Sequence, residues 1–72
     1  MFIDFAGMMI NTNYIISVYK TESITYKEMG KNNLYIINMK IYSNSSIIKK
    51  LYNTPEERDK AFDKLINELN NK

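Results

Sequence analysis

The stretch "LYIINMKIY", residues 34–42, decides how this chain is read. It alternates with the two-residue period of a strand, yet both of its sides are apolar. Tyr35, Ile37, Met39 and Ile41 fall on one side; Leu34, Ile36, Asn38, Lys40 and Tyr42 fall on the other. A strand with two greasy sides needs two covers, and the rest of the sequence has to supply them.

The first cover lies at the C-terminal end. In "NTPEERDKAFDKLINELNNK" the pattern changes from a period of two to a period of 3.6. Thr54 stands at the N-cap, Pro55 at the first helical position and Glu57 three residues after the cap, the arrangement of a capping box. Glu56, Glu57 and Asp59 sit where the helix dipole favours negative charge. Ala61, Phe62, Leu65, Ile66 and Leu69 form one apolar stripe, with Lys60, Asp63, Lys64, Asn67 and Glu68 opposite. These features predict an amphipathic helix over about 55–70, packed through a single stripe on a single face of a sheet.

Upstream, turn chemistry recurs every eight to twelve residues and predicts antiparallel neighbours. Phe2–Ala6 reads as a first strand ended by Gly7, with "MMI" continuing after a bulge. Asn11, Thr12 and Asn13 form a turn cluster. Tyr14–Thr21 is a strand rich in β-branched and aromatic residues, with Ile16 and Val18 on the core side. Ser23–Met29 alternates again. "GKNN", Gly30–Asn33, is the strongest loop signal, and "SNSS", residues 43–46, marks another turn before a last strand, Ile47–Tyr52. The expected fold is α+β: one domain, 1–72, with an antiparallel four- to five-stranded β-meander followed by one C-terminal helix on one face.

Size and composition bound the chemistry. A single core of 72 residues leaves a net stability of only about 3–5 kcal/mol without a staple. The chain has no Cys, which removes disulfides and thiolate metal sites, and no His, which leaves zinc only carboxylates. No cofactor or metal is therefore expected. Self-association remains as the support. The net charge of +2 is far from the basic balance of a dedicated duplex-DNA binder. No apolar run reaches the ~18 residues of a membrane span, and the apolar start, which carries Asp4, reads as a strand and not as a signal peptide. Asn, Lys and Ile are abundant and Ala, Gly and Arg scarce, the bias of an AT-rich genome. A cytoplasmic setting, bacterial or in a phage-infected cell, is expected.

The ordering of hairpins before a capped helix, with "NTNYIISV" and "TPEERDKAF", resembles small β-meander-plus-helix proteins of Firmicutes and their phages. The ββββα order also resembles small single-strand-binding folds in topology. That resemblance implies a compact accessory protein and leaves its ligand open.

Absence of His, Cys and a Gly-rich phosphate loop removes the commonest nucleophile, base and phosphate-cradle sets, so no enzyme is expected. Tyr26 with Lys27 or Glu28 is a poor acid–base pair, because strand neighbours point to opposite faces. Leu34, Ile36 and Tyr42, on the side the helix cannot cover, predict an oligomer interface. Tyr19 and Tyr42 supply stacking rings, and Lys40, Lys49 and Arg58 supply groups for phosphate. Those five residues are the candidate site for an anionic nucleotide, held without chemistry, as in the sequestration of a host nucleotide signal. A single-stranded nucleic acid, or a host protein docked on the apolar face, are the other readings. Arg58, the only arginine, has a plainer reading as a partner for Asp4 or Glu57.

Overall fold

In a computed structural model that describes residues 1–27, 30–42 and 46–70, the chain folds as an α+β protein. Strands β1 (Phe2–Phe5) and β2 (Met8–Asn11) form a hairpin; β3 (Ile15–Lys27), β4 (Gly30–Ile41) and β5 (Ile47–Tyr52) form a second sheet; helix α1 (Pro55–Asn70) closes the chain. The three-stranded sheet is antiparallel in the order β3-β4-β5, and β1 pairs only with β2.

Strand β4, which holds most of "LYIINMKIY", is central, and its two sides differ as expected. Ile37 and Met39 are fully buried against Ile3, Phe5 and Ile10 of the hairpin and Leu65 of the helix. Val18, Ile41, Ile48 and Tyr52 border the same cluster. Each such side chain contributes about 1.5–3 kcal/mol by leaving water, so this one core dominates the favourable side of folding. The helix has the predicted bounds. Its cap forms: the Thr54 Oγ1 accepts from the Glu57 N–H at 3.2 Å, and the Thr54 carbonyl accepts from the Arg58 N–H. Leu65 is buried, and Ala61, Phe62 and Leu69 pack against the core.

Four expectations are corrected. The strands do not make one meander of four or five. Ala6 and Gly7, both with positive φ (53° and 79°), form a two-residue turn of the mirror-image type that closes tight hairpins, where a bulged continuation was expected. A 3₁₀ turn, Thr12–Tyr14, then redirects the chain, and the Thr12 N–H and hydroxyl both donate to the Met1 carbonyl, sealing the hairpin as its own sheet.

"GKNN" is not a loop: Gly30–Asn33 is the first part of β4, paired with Ile24–Lys27. Only β3 accompanies it there, so both faces of this ribbon are wet and polar residues suit it. The expected end of the preceding strand at Glu28 and Met29, the "SNSS" residues 43–45, and a helix stop at Asn71 lie outside the described residues.

Third, Ile15 and not Ile16 joins Val18 at the core. A bulge between Ile15 and Ser17 shifts the alternation, and Ile16 is left 50% exposed. Fourth, Arg58 pairs with neither Asp4 nor Glu57. Its guanidinium Nε donates to Asp59 Oδ1 at 3.0 Å, and its Nη1 donates to the Thr21 carbonyl at 3.2 Å and lies 3.5 Å from Glu22 Oε1.

Candidate functional site: the open face of the sheet

Residues directly opposite one another in a sheet share a face. Helix α1 and the hairpin cover the face that bears Val18, Ile37, Met39 and Ile48. The other face is built in rows across the three strands, read from the register: Ser17, Lys40 and Ile47; then Tyr19, Asn38 and Lys49; then Thr21, Ile36 and Leu51; then Ser23 and Leu34.

Three of the five candidate ligand residues meet on this face. Tyr19 and Lys49 flank Asn38 in one row, and Lys40 stands in the adjoining row of β4. Asn38 is buried between them: its Nδ2 donates to Thr21 Oγ1 at 2.7 Å and to the Tyr19 carbonyl at 3.4 Å. These bonds tie the middle of β4 to β3 and hold the backbone of Tyr19 in place, so the ring starts from an ordered base.

Tyr42 lies just beyond the end of β4, 74% exposed, and its N–H donates to the Tyr14 carbonyl. Arg58 is on the opposite side of the sheet. It is only 7% exposed, stands 5.4 Å from the centre of the Tyr35 ring, and gives its donors to Asp59, Thr21 and Glu22. It therefore works as a strap from the first helical turn to β3. The signal for this was available in the sequence: Arg58 stands three, four and seven residues before Ala61, Phe62 and Leu65, on the buried stripe.

The expected interface residues divide. Leu34 and Ile36 both lie on the open face. Ile36, however, is only 7% exposed within one chain, because Thr21 and Leu51 stand on either side of it. Leu51, Ile47 and Tyr19 carry the exposed apolar area instead.

Charge separates the two sides. The open face carries Lys40 and Lys49 and, among the described residues, no carboxylate. Glu22, Asp59, Asp63 and Glu68 belong to the helix-covered side or the helix itself. A cavity of about 190 Å³ between the hairpin, β5 and the helix shows the contrast. Its rim mixes Lys50 and Lys64 with Asp4 and Glu68, so it presents no net field to an anion. Among the described residues no cluster of three carboxylates could hold a metal ion, and no helix is long and apolar enough to cross a membrane.

No family model, curated protein or solved structure matches the chain.

Proposed function

We propose that this protein binds a nucleobase-bearing anion, a nucleotide or a short single strand, on the open face of its sheet and releases it chemically unchanged. The observation that carries this reading is a face, free of carboxylates among the described residues, on which one tyrosine ring and two lysines stand in adjoining rows. A sheet face suits such a ligand, since a ring stacks on any base, worth about 1–3 kcal/mol, and ammonium groups on the neighbouring strands meet the phosphate. The one ring on the face favours a single base; Tyr42, past the end of β4, offers a second to a longer ligand. A binder of this kind needs no catalytic group and acts by occupancy, which is all that sequestering a host nucleotide signal by a phage-encoded protein would require.

The test is calorimetry of the wild type against mono-, di- and cyclic nucleotides and a mixed-sequence single strand, at low and moderate salt. Binding is expected to weaken with salt, by a log–log slope of about −0.7 per phosphate contacted on a single strand. Tyr19→Ala and Lys49→Ala each weaken it about tenfold or more, while Lys50→Ala, on the other face of the same strand as Lys49, leaves it unchanged. The ligand that binds tightest separates free nucleotide from strand. Silence across the panel overturns the proposal.

One observation favours a second reading, a module that docks on another protein. Phe2, Met8, Met9 and Tyr14 are exposed and line an apolar groove with Ile41 and Ile48 where the hairpin meets the end of the sheet. Binding there would be insensitive to salt, and Met9→Glu would abolish it with the nucleotide face intact.

A further inference from the structure

The outer edge of β3 is a row of backbone groups without partners among the described residues, and its direction can be worked out. The Ile41 N–H donates to the Ser46 carbonyl, on the β5 side, and the Tyr42 N–H donates to the Tyr14 carbonyl, on the β3 side. Backbone groups alternate in direction along a strand, so Lys40, Asn38, Ile36 and Leu34 bond towards β3. Their register partners Ser17, Tyr19, Thr21 and Ser23 point back towards β4. Val18, Lys20, Glu22 and Ile24 therefore aim their N–H and carbonyl groups outward. No proline lies on this strand. The helix packs mainly over β4 and β5, and its start reaches β3 through the side chains of Arg58, Asp59 and Phe62. A long unblunted edge is a template for another strand.

We infer that a second copy of this chain supplies that strand, through antiparallel pairing of β3 with the partner's β3 about a two-fold axis at Thr21. Only registers that set outward groups opposite outward groups can bond. Centring on Lys20 sets lysine against lysine, and centring on Glu22 sets glutamate against glutamate, both unfavourable. Centring on Thr21 sets Lys20 against the partner's Glu22, Glu22 against the partner's Lys20, and Val18 against the partner's Ile24. The sequence of this edge is self-complementary in that one arrangement.

Two further observations fit it. Lys20 lies 3.4 Å from Asp59, and Glu22 lies 3.5 Å from Arg58, yet the side chains of Lys20 and Glu22 remain 40% and 60% exposed. Across the axis they extend into a line of alternating charge: Asp59, Lys20, the partner's Glu22, the partner's Arg58. The far half of the β3–β4 hairpin also lacks support. β5 pairs with β4 only as far as Tyr35, and beyond it two strands stand alone, with Ile24 52% exposed. A two-stranded ribbon is marginal in water, and a third strand stabilises it. The pairing lays Ile24 beside the partner's Val18, at the margin of the partner's core.

The product is one six-stranded sheet with both helices on one side and both open faces joined on the other. The two Tyr19 rings then stand roughly 14 Å apart on a shared platform, from a strand rise of about 3.4 Å and a spacing of about 4.8 Å. The pairing does not depend on any ligand for that platform.

Sedimentation equilibrium tests it. The wild type is expected at twice its chain mass of 8.5 kDa at micromolar concentration. Ile24→Pro removes an outward N–H that bonds nothing among the described residues and weakens the dimer at least tenfold. Lys20→Glu and Glu22→Lys each set like charges opposite one another and do the same. Mixed in equal amounts, those last two variants restore a dimer, because both pairs across the axis then join a glutamate to a lysine. The mixture is informative even where one variant is less stable. A wild type that stays at 8.5 kDa, an oligomer indifferent to all three variants, or a mixture that stays monomeric overturns the inference.

Discussion

Arg58 and Asp59 show how much of this small fold hangs on single side chains. Asp59 receives a hydrogen bond from Arg58, and that bond, with the charges of Lys20 and Arg58, holds its carboxyl below the ordinary carboxylate range against an opposing effect of desolvation. A group whose pKa is lower folded than unfolded stabilises the fold above its unfolded value of about 3.9, and that stabilisation is lost as pH falls through the depressed value. Melting of the wild type should therefore drop below about pH 4. Asp59→Asn should melt lower than wild type at pH 7, and the gap should narrow as pH falls below about 4 and the wild-type carboxylate protonates. Thermal melts across that range check it; a gap that stays constant would show that Asp59 acts through packing alone. The sequence showed that Arg58 is the only arginine, and its place on the apolar stripe was legible too. Its acceptors on β3 were not, because Thr21 and Glu22 are more than thirty residues away and only the register of β3 brings them near.

At the scale of elements, legibility followed locality. The helix at about 55–70 and the strand from Ile47 to Tyr52 were readable, since cap, stripe and alternation are local signals. The bulge at Ile16 was not, because an extra residue leaves no mark in "YIISV" until the partner strand fixes the count. "GKNN" misled for a related reason: polarity marks exposure, and a ribbon exposed on both faces looks like a loop. Turns that depend on φ are a third case. Gly7 was read as a strand end and is the second residue of a tight turn, at φ 79°, with open space where a Cβ would stand. Gly7→Ala therefore introduces no clash and should cost about 1–2 kcal/mol through left-handed backbone strain alone. Chemical denaturation should show a lower midpoint with an unchanged slope. A neutral substitution would mean that the turn relaxes to another type.

Over the whole molecule, two sheets and a helix share one core, and that sharing makes the hairpin part of the fold. Ile3, Phe5 and Ile10 come from β1 and β2, Ile37 and Met39 from β4, and Leu65 from α1. None of the three layers buries its own apolar face. A hairpin of two four-residue strands is not stable alone, and a 16-residue helix is marginal in water. Phe5→Ala in the hairpin and Leu65→Ala in the helix should each cost about 2–5 kcal/mol, a large part of what a chain this size has to lose. Both should lower the same single transition. The helical circular-dichroism signal and tyrosine fluorescence should melt together in the wild type and in each variant, as two-state unfolding requires. If Phe5→Ala instead leaves both the helix signal and the tyrosine signal of the three-stranded sheet at their wild-type midpoints, the hairpin folds apart from the rest. The apolar groove at Met8, Met9 and Tyr14 would then belong to a detachable arm.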